Sequence, residues 1–185
     1  MDNGASSYRR FLEGDDDGIV QIIKEHKDGL LLYLNSLVQN IHLAEDLTED
    51  TFVKLIAHRP RFFGKSTFKT WLYSIGRNVA MDYLRKNARL HTASPEEVLA
   101  LKADEADVAR QYLQTERKLQ VHNALKQLNK EYRQVLVLTY FEDFKNDQVA
   151  AILKKNNKHV ENLVYRAKRS LKSELEKEGF VYEDL

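Results

Sequence analysis

The sequence predicts an all-α protein made of two small helical domains joined by a flexible linker. Three observations lead there. Apolar residues recur at three- and four-residue spacing along most of the chain, the mark of helices with one buried face. Only 2 prolines and 7 glycines punctuate 185 residues, which leaves long stretches free to be helical. The periodicity lapses after Leu90, in an acidic segment that carries Pro95 and few large apolar side chains.

The elements follow in order. Ile19, Ile22 and Ile23, then Leu30, Tyr33, Leu34, Leu37 and Val38, have helical spacing, with Gly29 expected as a break or kink between two pieces. Leu43, Leu47, Phe52, Leu55 and Ile56 form the apolar stripe of the next helix. "RPRFFGKS" is a loop, marked by Pro60 and Gly64. Ser66 or Thr67 suits the N-cap of a helix whose buried face is Phe68, Leu72, Ile75, Val79 and Leu84, and the spacing reads Trp71 as core. "HTASPEEVLALKADEADVARQ" is the linker. Periodicity resumes at Tyr112, with Leu119, Leu125 and Leu128 on one helix and Val135 to Phe141 on another.

The stretch "VAAILKKNNKHVENLVYRAKRSLK" decides what the second lobe is for. Val149, Ile152 and Leu153 keep phase with Val160, Leu163, Val164, Ala167 and Leu171, so one continuous helix is a competing reading. Asn156 and Asn157 stand where an apolar rung is due. Asparagine is poor inside a helix and tolerates the left-handed conformation that ends one, which favours a turn. A short helix over 146–154, a tight turn and a longer helix over 158–175 have helix-turn-helix proportions. The second helix carries Lys158, Arg166, Lys168, Arg169 and Lys172 against Glu161, a net +4 over 158–173. Such a face suits phosphates and base edges, and equally the solvated side of an ordinary bundle helix.

Composition bounds the remaining classes. Hydrophobic residues make up 43% and charged residues 31%, a soluble globular balance, and the net charge of +1 gives no global footprint of nucleic-acid binding. "MDNGASSYRRF" lacks the apolar core of a signal peptide, and no apolar run reaches a membrane span, so no membrane insertion and a cytoplasmic location are expected. Zero cysteines exclude disulfides and thiol catalysis. No two of the histidines at 26, 42, 58, 91, 122 and 159 share a helical i, i+4 metal spacing, and there is no G-x-S-x-G. "GKST" at 64–67 imitates a phosphate loop, but Arg59 stands where that motif needs glycine. No catalytic, metal or cofactor site is therefore expected, nor a small-molecule substrate.

Taken together, "AEDLTEDTFVKL", "STFKTWLYSIGRNVAMDYLRK", "ALKQLNKEYRQVLVLTYFEDFKNDQVAAIL" and "VENLVYRAKRSLK" resemble the extracytoplasmic-function (ECF) class of bacterial RNA polymerase sigma factors, over about Tyr8 to Leu175. The resemblance implies a sigma-2-like domain over 8–89, a linker over 90–111, a sigma-4-like helix-turn-helix domain over 112–176 and a tail over 177–185. It implies that Glu45, Asp46, Glu49 and Asp50 dock on the β′ coiled coil of core polymerase, the second lobe meeting the β flap. It implies that Arg61, Phe63, Lys65, Ser66, Lys69, Arg77 and Asn78 bind the −10 element as single-stranded DNA. It gives Lys158, Glu161, Asn162, Tyr165, Arg166, Lys168 and Arg169 the −35 duplex. An anti-sigma factor joins core polymerase and promoter DNA as a candidate partner. The chain departs from the family at Lys154, Lys155, Lys158, Glu161 and Leu163, two of these changes removing a usual cation near the groove. The alternatives are a stand-alone helix-turn-helix regulator of duplex DNA and a helical adaptor without DNA contact.

Overall fold

The computed structural model describes residues 4–91, 116–177 and 179–180, and among them contains eight α-helices and no strand. The first lobe holds α1 (Ala5–Leu12), α2 (Asp17–Val38), α3 (Ile41–His58) and α4 (Phe68–His91). The second holds α5 (Glu116–Gln127), α6 (Lys130–Leu136), α7 (Asn146–Leu153) and α8 (Asn157–Lys177), with a π-helical turn, Val137–Phe141, continuing α6. Most of the expected linker, and Tyr112 with it, lies outside the described residues, as do Leu119's side chain and the last five residues of the tail; residues 90 and 91 still belong to α4.

Helix ends follow local chemistry. Gln39 takes the left-handed conformation that closes α2, and the Asn40 side chain then caps α3 by accepting from the Leu43 N–H at 2.9 Å. Thr67 Oγ1 accepts from the Thr70 N–H at 3.2 Å, so of the two expected caps for α4 it is Thr67 that serves. Asn129 caps α6 in the same way, through the Tyr132 N–H.

Gly29 does not break α2, which runs unbroken through it. Its role is proximity: a Cβ there would lie 2.4 Å from Glu142 Oε2 and 2.5 Å from the Tyr73 hydroxyl. Gly18 serves the crossing of α1 over α2, where a Cβ would meet the Ser7 carbonyl oxygen at 2.2 Å. Gly18→Ala is therefore expected to cost about 2 kcal/mol, because the clash is with backbone and exceeds alanine's better helix propensity. A urea titration measures the loss, and earlier proteolysis within α1 would locate it.

The core of the first lobe is Ile22, Leu30, Tyr33, Leu34, Leu47, Leu55, Leu72 and Tyr73, all buried. Tyr8 and Phe11 of α1 close one end, with the Tyr8 ring 5.4 Å from both Phe68 and Trp71. Trp71 is half-buried and packs on that core, as its spacing predicts. Ile56 does not join its stripe; near the end of α3 it turns outward beside Val53. The second lobe buries Val135, Leu136, Leu138, Val149, Ile152, Val160 and Ala167.

The lobes are in contact. Helix α2 packs on α6 and the π turn, α4 packs on α7, and the buried apolar residues form one cluster through both lobes. Arg133 ties the junction. Its Nε donates to Ser36 O at 2.6 Å near the end of α2, and its Nη1 donates to Leu128 O at 2.8 Å beyond the end of α5. One buried guanidinium thereby satisfies carbonyls that helix termini leave without partners.

Candidate nucleic-acid interface

Three surfaces carry most of the expected site residues, and three more lie at the seam between the lobes. On α3, Glu45, Asp46, Glu49 and Asp50 are all exposed, and spacings of one, four and five residues put them on one side of the helix. The first turn of α3 holds no acid, so complementing the helix dipole does not account for this patch. Lys27, Asp28 and Leu31 of α2 line a groove with Glu45, Asp46 and Glu49.

The second surface is the loop entering α4. Arg59 adopts φ 43 to end α3, and Pro60 O accepts from the Tyr8 hydroxyl at 2.8 Å, which fixes the loop to α1. Burial pushes the Tyr8 phenol up to about 12, partly offset by Arg59, so the donor proton stays in place at neutral pH. The two adjacent phenylalanines separate by burial. Phe62 packs on Trp71 and Phe68 at 5.2 and 5.7 Å, whereas Phe63 is 69% exposed with the Arg61 guanidinium 5.1 Å from its ring centre. Lys65 and Ser66 are exposed beside it. Ala5, Tyr8, Arg9 and Leu12 of α1 line a depression with Phe62, Phe63 and Gly64. The sequence gives little sign of that contribution from α1, because eight residues with few apolar rungs carry little periodic signal.

Lys69, Arg77 and Asn78 lie apart from the loop residues, against the second lobe. Lys69 Nζ is 3.0 Å from Glu142 Oε2 and donates to Glu142 O at 2.8 Å. Asn78 Oδ1 accepts from Lys154 Nζ at 2.9 Å. Arg77 is half-buried, its positive charge acting on Tyr33 and on Lys130 of α6, and its Nε is buried without a hydrogen-bond partner.

The third surface is α7, the turn and α8. The chain does turn, and Lys154 takes the left-handed conformation (φ 56), while Asn156 caps α8 by accepting from the His159 N–H at 2.7 Å. The expected roles are thus redistributed: asparagine starts the second helix and lysine ends the first. Val160, Leu163 and Ala167 are buried, and Lys158, Glu161, Asn162, Tyr165, Arg166, Lys168 and Arg169 all face solvent. Tyr165 is 64% exposed, with Arg169 6.0 Å from its ring centre, and Lys168 Nζ lies 5.4 Å from the Tyr140 ring. Leu163 is only 6% exposed, so its departure from the family's arginine takes nothing from this exposed face.

Among the described residues no group of potential ligands could hold a metal ion, and no helix is long and apolar enough to cross a membrane. A polar-aromatic loop on one lobe and a cationic second helix on the other can engage, respectively, an unpaired strand and a duplex groove.

Comparison with known proteins gives the same division. Residues 22–90 match sigma-70 region 2, and residues 118–171 match sigma-70 region 4. The chain is 28% identical to the RNA polymerase sigma factor SigV of Bacillus subtilis, over 86% of this chain and 92% of that protein. It is 26% identical to the ECF RNA polymerase sigma factor SigM of the same organism, over 84% and 93%. Among solved structures, the sigma factor RpoE of Bartonella quintana, in complex with the anti-sigma factor NepR, superposes with a TM-score of 0.71 at 26% identity, covering 84% of this chain and 95% of that one. CnrH, solved with the cytosolic domain of CnrY, shares the fold with a TM-score of 0.64 at 23% identity, covering 95% and 96%. The region 2 match does not favour a stand-alone regulator, which has no use for that lobe. With both regions present in order and relatives spanning both, the chain belongs to the ECF class of RNA polymerase sigma factors.

Proposed function

We propose that the acidic face of α3 docks this sigma factor on the β′ coiled coil of bacterial core RNA polymerase. The second lobe, over 112–176, meets the β flap, and the linker over 90–111 spans from the first lobe, over 8–89. Arg61, Phe63, Lys65, Ser66, Lys69, Arg77 and Asn78 engage the −10 element as a single strand. Lys158, Glu161, Asn162, Tyr165, Arg166, Lys168 and Arg169 engage the −35 duplex. The protein acts in the cytoplasm as a non-enzymatic subunit that initiates transcription of its regulon, and an anti-sigma factor is a partner of the class seen with Bartonella RpoE.

The observation that carries this reading is the pairing of surfaces. Phe63 stands out of a cationic loop on one lobe, and all seven polar residues expected to face DNA on α8 are exposed on the other. An exposed aromatic beside cations fits unstacked bases, and an exposed helix with an apolar back fits the major groove. The acidic patch gives the docking step electrostatic steering.

Competition for core polymerase tests the docking. Asp46→Asn with Asp50→Asn is expected to weaken core binding ~tenfold at low salt, mostly through slower association, with the difference shrinking as salt rises. Undiminished competition by this double variant would overturn the assignment of α3.

A further inference from the structure

Resting on the sigma reading above, we propose that the lobes close on each other as an autoinhibitory clasp. Its latch is Glu142, whose carboxylate occupies the place of a DNA phosphate on Lys69. Glu142 belongs to the second lobe and is 8% exposed. Its carboxylate accepts from the Tyr73 hydroxyl at 2.5 Å and pairs with Lys69 Nζ at 3.0 Å, both on α4 of the first lobe. Phe144 closes the site from the same segment, its ring 4.9 Å from Tyr73 and 4.8 Å from Lys69 Nζ.

The backbone is built to deliver this acid. The π turn at Val137–Phe141 ends α6, the Glu142 N–H donates to Val137 O at 3.1 Å, and Asp143 then takes φ 56. On the receiving side only hydrogen fits at Gly29, as a Cβ would meet both carboxylate oxygens, at 2.4 and 2.7 Å. Two further bonds cross the same seam: Lys154 Nζ to Asn78 Oδ1 at 2.9 Å, and Gln148 Nε2 to Thr67 Oγ1 at 3.4 Å.

The consequence is competition for one surface. Lys69 and Asn78 are residues assigned to the −10 strand, and in the closed chain both are engaged by the second lobe. A phosphate cannot take the Lys69 ammonium while the Glu142 carboxylate holds it. A buried ion pair gains little net stability, since desolvation offsets the attraction. The pair therefore adds specificity more than strength: the apolar cluster and Arg133 hold the lobes together, and a partner that separates them there frees Lys69 for a phosphate.

The full chain tests this. It has no cysteine, so introduced pairs are unique labelling sites. Spin labels at Lys54→Cys and Ser173→Cys, both exposed, report the distance between lobes. A fluorescent 20-mer of thymidine reports strand binding. Glu142→Gln removes the charge, and Gly29→Ala pushes the carboxylate out from the other side. Each is expected to lengthen and broaden the interlobe distance and to tighten oligonucleotide binding about tenfold, with helix content unchanged. Thr67→Cys with Gln148→Cys, joined by a short bis-maleimide, is expected to lose at least as much binding relative to the unjoined form. Unchanged distance distributions in both latch variants, with affinities within twofold of the parent, would overturn the latch. Both readouts use the free chain, so failure of every form to bind core polymerase would strike the sigma reading alone.

Discussion

Arg133→Ala is expected to lower the unfolding free energy by about 3 kcal/mol, because it strips partners from carbonyls at two helix ends at the junction between the lobes. The guanidinium reaches Ser36 O on α2 and Leu128 O after α5, with a longer contact of 3.4 Å to Lys126 O. The first group lies in one lobe and the others in the second, so the loss falls on the junction as well as on α6. Arg133→Lys is not expected to rescue it, since an ammonium lacks the planar fork that reaches carbonyls in two directions. Urea midpoints for parent, alanine and lysine variants check this, and a lysine variant matching the parent would deny the fork its role.

Arg166→Ala is expected to cost ~1–3 kcal/mol of −35 recognition, concentrated at one base pair. Arg166 is exposed on α8 one turn after Asn162, where the helix back is held by Val160, Leu163 and Ala167. Lys168→Ala serves as the contrast: a phosphate contact loses affinity uniformly across sequences and flattens the salt dependence. Binding to a panel of single-base-pair variants of the selected promoter separates the two. A uniform loss for Arg166→Ala would make it a phosphate contact instead.

Both expectations rest on features that differ in how far the sequence discloses them. The turn before α8 was legible because two asparagines interrupt an otherwise continuous apolar phase. Which residue takes which duty was not, since Lys154 accepts the left-handed conformation that asparagine usually fills, leaving Asn156 free to cap. The face of α8 was legible from its periodicity, whereas the acidic face of α3 came only with the family resemblance, since acids near the start of a helix otherwise read as complementing its dipole. Gly29 misled, because a glycine required for close approach leaves the same trace as one that breaks a helix. Tyr73 and Glu142, the latter 113 positions further along the chain, explain it. Arg77 and Lys69 have the charge of strand-binding residues, and sequence gives no sign that a second lobe meets them first. Contacts of that kind depend on tertiary packing between distant segments, which helical periodicity does not encode.

Run-off transcription with purified bacterial core polymerase, with and without this chain, on a pool of genomic promoter fragments decides whether the chain works as a sigma subunit. Discrete new transcripts that share upstream −35 and −10 sequences are the expected result, and those sequences would define the specificity of α8 and of the α4 loop. An unchanged transcript pattern, together with no binding of the chain to core polymerase, would contradict it.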